Sequence, residues 1–295
     1  MKLLNSGTGD KIKDRYDEDL EVLQDIDNIF KKKRGFIVKM PKANTPVIVS
    51  LSGGLDSVSN VGVLLDKFKL QVYPFFINRE QTSYKWERKS VDWYDNFFSE
   101  KYPNLYHKVI EIKLTTPGMA YKNMLRKTKM LKDNPKLRET VSYPARNPII
   151  FLTGMEYGYS LQSKGIFPKT FFTSLPSTDT LYHSTLTSIR LMNLLMCQIT
   201  NDYDWQFISI PIEREFDNCY KKDRFVRYCS EHGIPLEHTR SCCVSDEIQC
   251  GTCWLACWDR RMAFKDAGVE DKTKYQHPMP KSYKETTREN YDFKK

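Results

Sequence analysis

No uninterrupted apolar run in the 295 residues approaches the roughly 18 that a membrane-spanning helix needs. The opening Met1-Lys2-Leu3-Leu4-Asn5-Ser6-Gly7 also lacks the apolar core of a secretory leader. A soluble, cytoplasmic protein with no membrane partner is therefore expected. Internal repeats are absent as well. Hydrophobic residues make up 40% and aromatics 13%, which excludes global disorder and supplies a sizeable core. The length leaves room for one α/β core with a small appendage, or for two modest domains.

A disulfide framework has no place in a reducing compartment. Eight cysteines are nevertheless present, and five of them (Cys242, Cys243, Cys250, Cys253, Cys257) crowd into one short segment. Cys197, Cys219 and Cys229 are scattered and suit core or helix positions. The net charge of +9 fits an anionic partner, either nucleotide phosphates or nucleic acid. However, the basic residues cluster at Lys31-Lys32-Lys33-Arg34 and after Lys281, where a solvated face is the commoner explanation, so nucleic acid is not favoured.

Apolar periodicity sets the expected order of elements. Leu20, Leu23, Ile26, Ile29 and Phe30 form a helical stripe in an N-terminal extension covering 1–45. Pro46-Val47-Ile48-Val49-Ser50-Leu51 reads as a strand buried on both faces. A glycine pair follows, and then a helix carrying Val58, Val61, Leu65 and Phe68. Strands are expected at 70–77, 105–114, 170–175 and 205–212, with helices at 86–98, 148–161, 186–199 and 222–232. This alternation implies an α/β fold: a doubly wound, mostly parallel sheet with helices on both faces, spanning 46–238. Residues 115–143 interrupt the rhythm as an inserted, lid-like segment. A small C-terminal zinc-binding module is expected at 239–276, followed by a basic tail at 277–295.

Two motifs carry chemistry. Ser52-Gly53-Gly54-Leu55-Asp56-Ser57 joins the first strand to a helix start. Backbone N–H groups can converge on anionic oxygens there, the glycines remove Cβ crowding, and the helix dipole favours negative charge. Asp56 can face phosphate only through a cation, which suggests Mg²⁺. No lysine follows the second glycine, so this is not the Walker-type loop. The second motif is Cys250-x-x-Cys253-x-x-x-Cys257 with Cys242 upstream, which offers four thiolates at spacings that tetrahedral Zn²⁺ accepts. Cys243 is a fifth candidate, and unligated thiols or a sulfur-transfer role stay open at this point.

The loop resembles the S-G-G-x-D-S signature of the PP-loop ATP pyrophosphatases, whose members adenylate an acyl or carbonyl oxygen and release pyrophosphate. Around the cysteines, Thr239-Arg240-Ser241-Cys242, Cys250-Gly251-Thr252-Cys253, Cys257-Trp258-Asp259-Arg260 and Asp271-Lys272-Thr273-Lys274-Tyr275 resemble the C-terminus of the QueC family of 7-cyano-7-deazaguanine synthases. Tyr143-Pro144-Ala145-Arg146-Asn147 and Lys222-Asp223-Arg224-Phe225-Val226 resemble two further segments of that family. The resemblance runs from about residue 46 to 276.

The resemblance implies a C–N bond-forming ligase that uses ATP and Mg²⁺ to adenylate 7-carboxy-7-deazaguanine. Ammonia then displaces AMP to give the amide, and a second adenylation gives the nitrile, in queuosine biosynthesis. It also implies that Ser50, Leu51, Ser52, Gly53, Gly54, Asp56 and Ser57 hold ATP, and that Arg146 and Lys222 offset developing charge. Asn147, Asp179 and Tyr182 would face the deazaguanine. The zinc on Cys242, Cys250, Cys253 and Cys257 would be structural, and a homodimer would be common.

Three departures surround the substrate. Cys253 and Cys257 are one residue further apart than the family pattern. The stretch corresponding to the family's base-pocket segment, Asp179-Thr180-Leu181-Tyr182-His183-Ser184-Thr185-Leu186, keeps an Asp and a Tyr but loses a Cys-Arg pair. The extension and the insert have no counterpart. Diverged relatives in antiphage gene clusters join the activated acid to a protein amine, which these departures would also suit. A tRNA-modifying PP-loop enzyme is the remaining enzyme alternative.

Overall fold

The sheet grows outward from the buried run that the sequence singles out. In this computed structural model, residues 18–81, 83–115, 146–176, 182–216, 221–242, 246–282 and 285–286 are described. Five parallel strands are ordered β3-β2-β1-β4-β5. They are β1 (Pro46–Ser50), β2 (Gln71–Asn78), β3 (Ile110–Lys113), β4 (Thr170–Thr173) and β5 (Gln206–Ser209). Alternation along the strands divides the core in two. Val47 and Val49 of β1, Val72 and Phe76 of β2, Phe172 of β4 and Ile208 of β5 enter one apolar cluster. Ile48, Tyr73, Phe75, Phe171 and Phe207 enter the other.

The first cluster is covered by α2 (Leu55–Asp66), α3 (Tyr84–Lys101), α6 (Lys222–Glu231) and α7 (Asp259–Ala267). The second is covered by α1 (Leu20–Arg34), α4 (Arg146–Gln162) and α5 (Leu186–Thr200). The strand order therefore reverses between β1 and β4, and helices lie on both faces, as the doubly wound reading expects. Ala263, Phe264 and Ala267 of the cysteine-bearing segment belong to the first cluster, so that segment packs directly on the sheet domain. No helix among the described residues is long and apolar enough to cross a membrane.

Several boundaries differ from the periodicity for identifiable reasons. The run at 205–212 is a strand only over Gln206–Ser209, and then tightens into a 3₁₀ turn at Ile210–Ile212. Pro211 has no N–H to continue a ladder. The run at 105–114 is a strand only over Ile110–Lys113, with an isolated bridge from Tyr106 to Val72. As an edge strand, β3 has one partner and a largely exposed surface. On α1, Leu23, Ile26 and Phe30 are buried, whereas Leu20 and Ile29 are exposed. The insert at 115–143 lies outside the described residues beyond Thr115.

Candidate active site

The loop after β1 is held in shape by its own hydroxyls. The Ser52 N–H donates to Ser57 Oγ (3.2 Å), the two serine hydroxyls lie 3.0 Å apart, and the Ser57 hydroxyl donates to the Gly54 carbonyl (3.1 Å). Gly54 is the N-cap of α2 and offers no side-chain cap. The first N–H groups of the helix are thus oriented as an anion-binding end.

Gly53 sits at φ +74, and its carbonyl accepts from the Arg240 N–H (2.8 Å) and the Ser90 hydroxyl (2.8 Å). A Cβ at Gly53 would lie 2.9 Å from both the Glu87 carbonyl oxygen and Ser90 Cβ. Gly53→Ala is therefore expected to cost about 1–2 kcal/mol in left-handed backbone strain and roughly 1–3 kcal/mol in overpacking. Thermal unfolding measures this. An unchanged melting temperature would refute the steric argument.

An open cleft lies over the carboxyl ends of β1, β2 and β4, where the strand order reverses. This is the usual ligand position in such sheets. Ser50, Leu51, Ser52, Gly54, Asp56 and Ser57 line it from one side, and Arg146 and Asn147 at the start of α4 line it from another. The Asn147 amide donates to the His183 carbonyl (2.9 Å) and to the Ser184 hydroxyl (3.0 Å). Tyr182 opens the adjoining 3₁₀ turn, Tyr182–Ser184, while Asp179 lies outside the described residues.

Lys222, the first residue of α6, reaches the site through Asp56. Its ammonium is 3.3 Å from Asp56 Oδ2 and 3.6 Å from Asp259 Oδ2. Burial works against its charge, but the two carboxylates outweigh burial and raise its pKa. The cation therefore persists at neutral pH.

Among the charged and amide side chains in or beside the cleft, Arg79, Gln81, Glu87 and Asp259 were not anticipated. Arg79 and Gln81 follow directly on β2. Polar residues just past the carboxyl end of a parallel strand are the signal that marks them. The Gln81 amide donates to Glu87 (2.6 Å). Asp259 gave no local signal, because its partner lies on α6.

The sulfur atoms of Cys242, Cys250, Cys253 and Cys257 lie within 4.8 Å of one another, and all four residues are buried. Cys250 and Cys257 are 3.8 Å apart at sulfur. That matches the edge, about 3.8 Å, of a tetrahedron with 2.3 Å Zn–S bonds. Backbone N–H groups of Cys250, Cys253 and Cys257 donate to Cys242, Cys250 and Cys253 sulfurs, respectively. Such donors favour thiolates. The four can hold a metal ion such as Zn²⁺.

The extra residue between Cys253 and Cys257 is absorbed by a π turn, Trp254–Trp258, in which the Trp258 N–H reaches back to the Cys253 carbonyl (3.0 Å). Cys243 lies outside the described residues. Arg260 is buried and ties the segment together. Its guanidinium donates to Tyr275 (2.9 Å), Thr273 (2.6 Å), the Leu236 carbonyl (2.8 Å) and the Thr239 hydroxyl.

The family described as "Queuosine biosynthesis protein QueC" matches residues 46–268. A protein named 7-cyano-7-deazaguanine synthase from Methanothrix thermoacetophila is 49% identical over 57 residues, 19% of this chain and only 25% of that protein. Another of that name, from Methanothermobacter thermautotrophicus, is likewise matched over 24% of its length. 7-Cyano-7-deazaguanine synthase 1 from Desulfitobacterium hafniense strain Y51 is 24% identical over 221 residues, 74% of this chain and 91% of that protein. A solved NH3-dependent NAD synthetase from Campylobacter jejuni, in complex with the nitrate ion, shares 14% identity at a TM-score of 0.29. It covers 72% of this chain and 84% of that one, a likeness too slight to build on. With a match over most of its length, the loop at its amino end and the four-cysteine segment at its carboxyl end, the chain belongs to the QueC family.

Proposed function

We propose that the chain is an ATP-dependent ligase acting on 7-carboxy-7-deazaguanine. A substrate carboxylate oxygen attacks the α-phosphorus of ATP, the bond to the β-phosphate breaks and pyrophosphate leaves. Ammonia then attacks the acyl carbon, loses a proton and expels AMP to give the amide. The amide oxygen is adenylated by a second ATP, which again expels pyrophosphate, and loss of AMP and both nitrogen-bound protons leaves the nitrile.

The observation that carries this reading is the shared cleft. An uncapped helix start faces Arg146 across it, and a charged lysine is paired to Asp56 at its edge. Backbone N–H groups and fixed cations aimed at leaving phosphate oxygens are what α,β-cleavage of ATP needs. Asp56, partly exposed at the loop, is the residue suited to hold Mg²⁺, which would neutralise phosphate charge. Asn147 orients the substrate side, and the four-thiolate metal is structural, since four thiolates leave no open coordination position.

The purified protein, incubated with ATP, Mg²⁺, 7-carboxy-7-deazaguanine and ammonia, is expected to release AMP and yield the nitrile, followed by product mass. AMP formation with no free small-molecule product would transfer the acceptor role to a protein amine. No AMP from this acid would overturn the reading.

A further inference from the structure

We propose that Glu18, in the N-terminal extension, is a positioning residue for the substrate side of the cleft, acting through the start of α5 and Asn147. The proposal rests on the reading of the cleft given above and adds a part to it from outside the family match, which begins at residue 46.

The argument starts from the first turn of α5. A helix leaves its initial N–H groups without partners inside the helix. Here the Leu186 N–H donates to Glu18 Oε1 (2.6 Å), and the Thr187 N–H (2.9 Å) and hydroxyl (2.6 Å) both donate to Oε2. The Ser188 N–H is satisfied locally by the N-cap Thr185 (3.1 Å). Two of the three donors thus depend on a carboxylate 168 or more positions away in the chain.

The helix that delivers this carboxylate is firmly held. Asp27 of α1 pairs with Arg190 of α5 (2.9 Å), and Arg190 also pairs with the fully buried Glu213 (2.7 Å). At the far end of α1, Arg34 donates to the carbonyls of Tyr203 (3.0 Å) and Trp205 (2.7 Å). Helix α1 is thus fastened to α5 near its start and to the segment that follows its end.

The connection to the cleft is short. Only Thr185 separates Leu186 from the turn Tyr182–Ser184, and that turn provides both acceptors for the Asn147 amide. Asn147 is 3% exposed and lines the cleft beside Arg146. Displacing the start of α5 moves the two groups that orient Asn147, and leaves the Ser52–Ser57 hydrogen bonds untouched.

Glu18→Gln keeps the side-chain length but turns one acceptor into a donor facing donors. We expect the KM for 7-carboxy-7-deazaguanine to rise about tenfold, with kcat and the KM for ATP held within about twofold. Glu18→Asp, which keeps the charge on a shorter stem, is expected to fall between. Amide hydrogen exchange should quicken at 186–188 and stay unchanged at 52–58. Equal losses for acid and ATP, or no change in the acid KM, would overturn the proposal. If the wild-type protein does not turn over this acid, the function reading fails separately. Exchange then decides alone, and unchanged protection at 186–188 in Glu18→Gln overturns the role of Glu18.

Discussion

Replacing Cys250 with serine is expected to strip the chain of a stoichiometric metal ion and lower its melting temperature by about 10–20 °C. A structural Zn²⁺ supplies roughly 10–16 kcal/mol to the folding of small zinc peptides. If only about 5 kcal/mol of that is realised here, each kcal/mol moves the midpoint by about 2–4 °C in a domain of this size. Cys250 is the appropriate target because its sulfur accepts N–H groups from Thr252 and Cys253 and lies 3.8 Å from that of Cys257. The consequence reaches beyond the cysteines. Arg240, two residues before Cys242, anchors the Gly53 carbonyl, and Asp259, two residues after Cys257, pairs with Lys222. Loss of metal should therefore depress AMP formation together with stability. Metal content by elemental analysis and thermal unfolding check this. A metal-free variant that melts like the wild type would remove the case for a structural ion.

The features legible in the sequence were those whose chemistry is written in local spacing. The glycine loop and the four cysteines each occupy a short window, as does each strand or helix of the alternation, and the structure places the loop and Arg146 in one cleft. The Arg260 and Asp271-x-Thr273-x-Tyr275 motif was visible only as a resemblance. Its physical content, one buried guanidinium shared among Thr239, Thr273 and Tyr275, needed coordinates. The wider Cys253–Cys257 spacing is legible in the sequence, but the π turn that takes up the extra residue is not. Glu18 and Asp259 could not be found, because an isolated acid gives no sign of a partner on another helix. Exposure of Leu20 and Ile29 was hidden for a related reason. A helical stripe is read as wide as its apolar residues allow, whereas docking against α5 buries only the part that touches.

Lys222→Met is expected to lower kcat/KM for AMP formation by about 10²–10³-fold, the usual loss when one preorganised charge-stabilising group is removed from a transition state. Methionine fills a similar volume, so the loss reports charge. The effect has two parts. Pyrophosphate departs without a cation near the loop, and Asp56 and Asp259 are left facing the same space with nothing between them. The second part can be separated. Asp259→Asn in the Lys222→Met background should recover stability, because it removes one of two uncompensated carboxylates. It should not recover turnover, because the cation is still missing. Lys222→Arg keeps a charge, but its planar guanidinium cannot reproduce a compact ammonium between two carboxylates, so it should retain only part of the activity. Initial rates of AMP release and melting temperatures of the four proteins decide the matter. Full turnover in Lys222→Met would show that the positive charge at this position does not serve the reaction.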